Sequence, residues 1–104
     1  MSEVDVGALS DFTGGEARQV KTAGRTLVIV RIGDDVYVLD DRCSHEDFSL
    51  ALGEVDVDAR EIECAHHGSM FRLDDGQPTS LPATRPVAHY DTRVADGRVL
   101  VELP

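Results

Sequence analysis

The stretch 43-CSHEDFSLALGEVDVDAREIECAHH-67 carries a cysteine and a histidine at each of its two ends. The two couples are Cys43-Ser44-His45 and Cys64-Ala65-His66-His67, which together use both cysteines of the chain. A structural zinc site usually draws its cysteines in pairs from one loop. Here each loop offers one thiolate and one imidazole, so the pattern favours a centre with one sulfur-ligated and one nitrogen-ligated metal ion.

On both sides of this stretch, short β-branched and apolar runs alternate with turn signals and predict β-strands. The clearest predicted strands form two hairpins, Thr26–Ile32 with Val36–Leu39 and Val87–Val94 with Arg98–Leu103. Weaker strand candidates are Val4–Leu9, Ala17–Lys21, Arg60–Glu63 and Met70–Leu73. One short helical turn is predicted at Ser49–Leu52. This spacing predicts an all-β sandwich with the two couples on loops that the sheets carry.

The length and the charge of the chain limit the classes of protein to which it can belong. We expect 104 residues to form one domain, residues 1–104, with a modest core. Ten basic and twenty acidic residues give a net charge of −10. Such a charge disfavours nucleic acid and anionic membranes as partners and favours docking on a basic protein surface. Acidic residues near the first couple are candidate docking charges: Asp40, Asp41, Glu46 and Asp47.

The sequence shows no long apolar stretch and no signal-peptide pattern at its start. We therefore expect a cytoplasmic protein with no membrane partner. We also expect it to be a monomer. In the cytoplasm structural disulfides are rare, and cysteines that ligate a metal are not available for one.

The spacing C-x-H-x18-C-x2-H resembles the signature of Rieske [2Fe-2S] proteins, in which two histidines replace two cysteines on one iron. The likeness extends to Gly68-Ser69, Phe71, Asp75-Gly76 and Leu81–Val87. Together these residues are similar to the small Rieske ferredoxins, including the ferredoxin components of bacterial ring-hydroxylating dioxygenases. The resemblance implies an antiparallel β sandwich with a small cluster-binding sub-domain at one tip, formed by loops at about residues 40–53 and 64–72.

The resemblance also implies the ligands of one [2Fe-2S] cluster. Cys43 and Cys64 would bind the buried iron, and His45 and His67 would bind the outer iron. A loop over about residues 78–86, in which Pro82 is the best match, would cover the cluster. We expect the other two histidines, His66 and His89, not to be ligands. His66 does not fit the C-x2-H spacing, and His89 lies within a predicted strand.

Residues after the last histidine indicate which kind of Rieske protein the chain resembles. High-potential members place a serine and a tyrosine there, whose hydroxyls donate hydrogen bonds to the cluster or cysteine sulfur. The matching residues here are Ser69 and Phe71, so one donor is kept and the other is lost. Respiratory members also have two further cysteines, which form a disulfide between the loops, and this sequence has no cysteines for it. We therefore expect a potential below the respiratory type.

The function that the resemblance implies is that of a soluble one-electron carrier, not an enzyme. Electrons would pass from a flavin-containing NAD(P)H ferredoxin reductase to a terminal oxygenase, such as an aromatic-ring dioxygenase. We expect no oxygen activation by this chain, because it lacks a 2-His-1-carboxylate iron domain. Three alternatives are an accessory protein of iron–sulfur cluster assembly, the small subunit of a nitrite-reductase-like enzyme, and a structural zinc-binding module.

The reduction potential should vary with pH at the alkaline end if His45 and His67 bind iron. The physical reason is that an iron-bound imidazole can lose its second ring proton, which links electron uptake to proton binding. Voltammetry from neutral to strongly alkaline pH measures this dependence. A potential that stays flat over that range would contradict histidine ligation.

Overall fold

The computed structural model describes residues 2–42, 49–65, 68–81 and 84–103. In these ranges the chain forms ten β-strands and two short 3-10 helices, Leu9–Asp11 and Leu50–Leu52. The strands are β1 (Ser2–Ala8), β2 (Ala17–Thr22), β3 (Arg25–Ile32), β4 (Asp35–Asp40), β5 (Val55–Asp56), β6 (Glu61–Glu63), β7 (Met70–Arg72), β8 (His89–Tyr90), β9 (Thr92–Ala95) and β10 (Arg98–Leu103). No helix in the described ranges is long and apolar enough to cross a membrane.

The strands form three sheets, and every pairing between the named strands is antiparallel. The strand orders are β1-β10-β9 in the first sheet, β2-β3-β4-β8 in the second and β5-β6-β7 in the third. This confirms the predicted all-β antiparallel class. The helical turn expected at Ser49–Leu52 is also present, as the second 3-10 helix.

Strand β3 is buried on both of its faces and contributes to two separate cores. Side chains alternate across a strand, so Leu27 and Ile29 face one core while Val28 and Val30 face the other. All four are at most 1% exposed. The first core joins the first and second sheets and contains Phe12, Leu27, Ile29, Val38, Val99, Val101 and Leu103. The second core joins the second and third sheets and contains Val28, Val30, Ile32, Leu39, Leu50, Ile62, Cys64, Phe71, Leu73 and Val87.

The single strand predicted over Val87–Val94 is wrong, because the chain changes sheets within it. Strand β8 pairs with β4 in the second sheet, whereas β9 pairs with β10 in the first. Asp91 lies between them, and its carbonyl accepts the backbone N–H of Glu102 at 2.9 Å. The apolar pattern of this segment could not show the change, since both halves keep an extended backbone.

Gly53 allows the chain after the first predicted cluster loop to pack directly on β6. A Cβ added at Gly53 would lie 1.6 Å from the carbonyl oxygen of Glu63. Next to this contact, the N–H of Glu63 donates to the carbonyl of Glu54 at 2.8 Å. The exit of the first loop is therefore held by backbone contact against the strand that leads into Cys64.

Replacing Gly53 with alanine should destabilise the fold by about 2 kcal/mol or more, because the added methyl cannot fit without moving β6. Gly14→Ala is a matched control, since a Cβ at Gly14 meets nothing within 4 Å. We expect the control to change the free energy of unfolding by about 0.5 kcal/mol or less. Urea denaturation of both variants measures the difference, and equal losses would contradict the close contact.

Candidate metal centre

The structure describes two of the five predicted site residues, Cys64 and Ser69, and both are fully buried at 0% exposure. The other three, together with the proline of the predicted covering loop, lie outside the described residues: Cys43, His45, His67 and Pro82. The structure therefore describes the strands around the site and one predicted ligand, Cys64. The four-residue ligand set stays a prediction.

Cys64 and Ser69 pair across the turn that joins β6 to β7. The N–H of Cys64 donates to the carbonyl of Ser69 at 2.7 Å, and the N–H of Gly68 donates to the carbonyl of Cys64 at 2.9 Å. Gly68 has φ +76°, and a Cβ there would meet nothing within 4 Å. This position requires glycine for its left-handed backbone rather than for lack of space. The turn therefore holds the backbone of Cys64 at a defined place beside two paired strands.

The side chain of Cys64 belongs to the second core. Leu50, Ile62 and Phe71 are buried in the same core, and each is 0% exposed. Apolar surroundings disfavour a thiolate unless a metal or another cation stabilises it. Such a position suits a ligand of the inner, sulfur-bound iron, so the described residues fit a [2Fe-2S] cluster. Leu50 follows the first couple in sequence, so this core also brings the exit of the first loop to the second couple.

The segment predicted to cover the cluster begins in contact with β7. Pro78 forms an antiparallel bridge with Phe71, and the N–H of Thr79 donates to the carbonyl of Met70 at 2.8 Å. In return, the hydroxyl of Ser80 accepts the N–H of Met70 at 2.9 Å. The start of the covering segment is thus paired with the strand that follows Ser69. Thr79 and Ser80 lie inside the predicted covering loop at about residues 78–86, but only their position after Pro78 pointed to them in the sequence.

The interpretation of Asp41 as a docking charge is wrong. Its side chain is only 7% exposed and accepts hydrogen bonds from Gln19, Ser49 and Ala51. A carboxylate that is buried and already accepts three hydrogen bonds is not available to a partner surface. Two of its three donors, Ser49 and Ala51, lie in the later part of the first predicted loop, at about residues 40–53, and Asp41 lies at its start.

The neighbouring Asp40 has a different environment. Its Oδ1 accepts the hydroxyl of Tyr90 at 2.6 Å, and Tyr90 in turn accepts Nη1 of Arg25 at 3.1 Å. Burial raises the pKa of Tyr90, and the hydrogen bond and charge of Asp40 raise it further. The hydroxyl therefore keeps its proton at neutral pH and joins β4 to β8 as a donor.

Comparisons with known proteins agree with the fold and the motif. The family described as Rieske [2Fe-2S] domain matches residues 2–91. The ferredoxin CarAc of Metapseudomonas resinovorans is 38% identical over 95 residues, which are 90% of this chain and 87% of that protein. The ferredoxin of carbazole 1,9a-dioxygenase from Nocardioides aromaticivorans IC177 superposes with a TM-score of 0.94 at 34% identity, covering 97% of each chain.

A further solved structure includes a second component. It is a complex of reduced oxygenase and oxidized ferredoxin in carbazole 1,9a-dioxygenase. The matched chain is 36% identical with a TM-score of 0.88, and the match covers 95% of this chain and 91% of that one.

Replacing Ser69 with alanine should lower the reduction potential of the reconstituted protein. A hydroxyl that donates to cluster sulfur stabilises the more negative reduced state. The loss of about 1 kcal/mol of such stabilisation corresponds to on the order of 40 mV for one electron. Protein-film voltammetry measures the shift, with Ser10→Ala, an exposed serine in the first 3-10 helix, as the control. A Ser69→Ala potential equal to that of the control would exclude the donor role.

Proposed function

The chain belongs to the Rieske [2Fe-2S] domain family, and we propose that it is a one-electron carrier. It holds one [2Fe-2S] cluster and delivers electrons to the terminal oxygenase of a ring-hydroxylating dioxygenase system. The observation that carries this proposal is the superposition of 97% of the chain on the ferredoxin of a carbazole dioxygenase. Likeness over the whole of a ferredoxin supports the role of a carrier rather than that of a catalytic subunit.

In this proposal Cys43 and Cys64 hold the inner iron, and His45 and His67 hold the outer iron. When bound, the cluster supplies a site that accepts and releases one electron. Cys64 and Ser69 are both fully buried. In this proposal Cys64 keeps its thiolate away from water, and Ser69 donates its hydroxyl to sulfur. Residues 1–104 act as one domain, with the segment at about 78–86 covering the cluster.

The proposed partners are a flavin-containing NAD(P)H reductase as electron donor and the terminal oxygenase as acceptor. The solved complex of an oxygenase with a similar ferredoxin supports the second of these. The net charge of −10 supports docking on basic partner surfaces. Several arginines are already paired with carboxylates on the surface, namely Arg60, Arg72, Arg93 and Arg98. The proposed setting is the cytoplasm, with the carrier as a monomer.

The purified protein should contain about two irons and two acid-labile sulfides and should give a Rieske-type electron-paramagnetic spectrum when reduced. Substituting His45 or His67 with alanine should abolish that spectrum, because each removes one of the two nitrogen ligands. His66→Ala and His89→Ala are matched controls that should keep it. A colourless protein with one bound zinc would overturn the proposal, and loss of the cluster in His66→Ala with retention in His67→Ala would overturn the ligand assignment.

Electron delivery is tested by mixing the reduced protein with the terminal oxygenase of the Nocardioides carbazole system and following reoxidation by stopped-flow absorbance. We expect reoxidation whose second-order rate constant falls as the salt concentration rises, because surface charges guide the encounter. A rate constant independent of salt would contradict electrostatic docking. Failure to reduce this oxygenase at any salt concentration would contradict the carrier role with this class of acceptor.

A further inference from the structure

A single buried carboxylate joins the two ends of the segment that contains Cys43 and His45. Asp41 comes just before that segment, and its side chain is 7% exposed. Its Oδ1 accepts the backbone N–H of Ala51 at 2.7 Å, and its Oδ2 accepts the hydroxyl of Ser49 at 2.5 Å. Since both donors follow His45 within the predicted loop at about residues 40–53, one side chain connects the two flanks of the predicted first ligand loop.

The same residue is also held by the central sheet. Gln19 on β2 donates its Nε2 to Oδ2 of Asp41 at 2.5 Å. The backbone N–H of Asp41 donates to the carbonyl of Thr26 on β3 at 3.0 Å. A buried carboxylate is stable only where donors compensate for its lost hydration. The donors from β2 and from the loop exit provide that compensation and fix the position of Asp41 relative to the sheet.

The loop exit is in turn fixed relative to the second couple. Leu50 lies between Ser49 and Ala51, two of the three residues that donate to Asp41, and it is 0% exposed in the core that also contains Cys64. A continuous set of contacts therefore leads from the carboxylate of Asp41, through the second 3-10 helix, to the core around Cys64.

We propose that Asp41 is the positioning residue of the first ligand loop. Its hydrogen bonds hold the two ends of the loop so that Cys43 and His45 are presented to the metal centre that Cys64 shares. Holding both ends together removes part of the entropy that metal binding would otherwise cost. This inference rests on the proposed function, since it needs Cys43 and His45 to be ligands.

The preceding residue provides a matched control. Asp40 carries the same charge, but its described side-chain hydrogen bond is to Tyr90 on β8 and not to the loop exit. Asp41→Asn and Asp40→Asn each remove one negative charge from neighbouring positions. A difference between the two variants therefore reports hydrogen bonding at the loop base rather than the loss of charge.

The experiment compares the reconstituted holoproteins of wild type, Asp41→Asn, Asp40→Asn and Ser49→Ala. Loss of the cluster to an iron chelator is followed by visible absorbance, and the electron-paramagnetic line widths of the reduced proteins are recorded alongside. We expect Asp41→Asn to lose its cluster about tenfold faster than wild type or more, as for other residues that orient metal ligands, with Asp40→Asn within about twofold. Ser49→Ala removes one of the three donors and should show a smaller acceleration with broadened lines.

The outcomes separate this inference from the proposed function. A wild type without iron or sulfide would overturn both. A wild type that binds the cluster, with Asp41→Asn no faster than Asp40→Asn and with unchanged line widths, would overturn the inference alone. If Asp41→Asn gave that same chelation rate and line widths but unfolded at a lower temperature than wild type, Asp41 would have a purely structural role. If Asp41→Asn does not fold, Ser49→Ala decides, and chelation at the wild-type rate would overturn the inference.

Discussion

Burial of β3 on both faces is the constraint on which the rest of this structure depends. A strand in a two-layer sandwich needs apolar residues on one face only, whereas Leu27–Val30 is apolar at every position and at most 1% exposed. One strand thereby holds the first and third sheets on opposite sides of the second. Burying four such side chains contributes roughly 1.5–3 kcal/mol each. Cys64, the described residue of the candidate ligand set, is packed in the second of these cores.

Non-covalent contacts between described residues join the two predicted ligand loops at their bases. On one side, Gly53 contacts the carbonyl of Glu63 so closely that a methyl group would not fit. On the other side, Asp41 binds the exit of the first loop, and Leu50 carries that exit into the core around Cys64. Backbone contact, one buried carboxylate and one apolar side chain can thus supply the restraint that a disulfide between the loops would otherwise supply. A protein of the reducing cytoplasm, the proposed setting, would need such a restraint.

Local patterns were sufficient for the parts of the fold in which neighbouring residues decide the conformation. A hairpin that ends in Arg98–Leu103 was predicted, and in the turn between β9 and β10 Asp96 and Gly97 have positive φ, as a tight hairpin turn requires. The segment at Val87–Val94 was predicted wrongly, because the exchange of partner sheets at Asp91 depends on strands distant in sequence. The role of Asp41 was missed for the same reason, since an acidic residue in an acidic loop has no local signal of burial.

The sequence by itself determined the all-β class, the family and the proposed ligand set, because each depends on residue type and spacing along the chain. Only the tertiary structure decided that Cys64 and Ser69 are fully buried, that Gly53 must lack a side chain, and that Asp41 is a hydrogen-bonded residue of the loop base. Burial and hydrogen-bond partners depend on which distant segments pack together. A spacing pattern contains no information about that packing, and for this reason the support of the site became visible only in the folded chain.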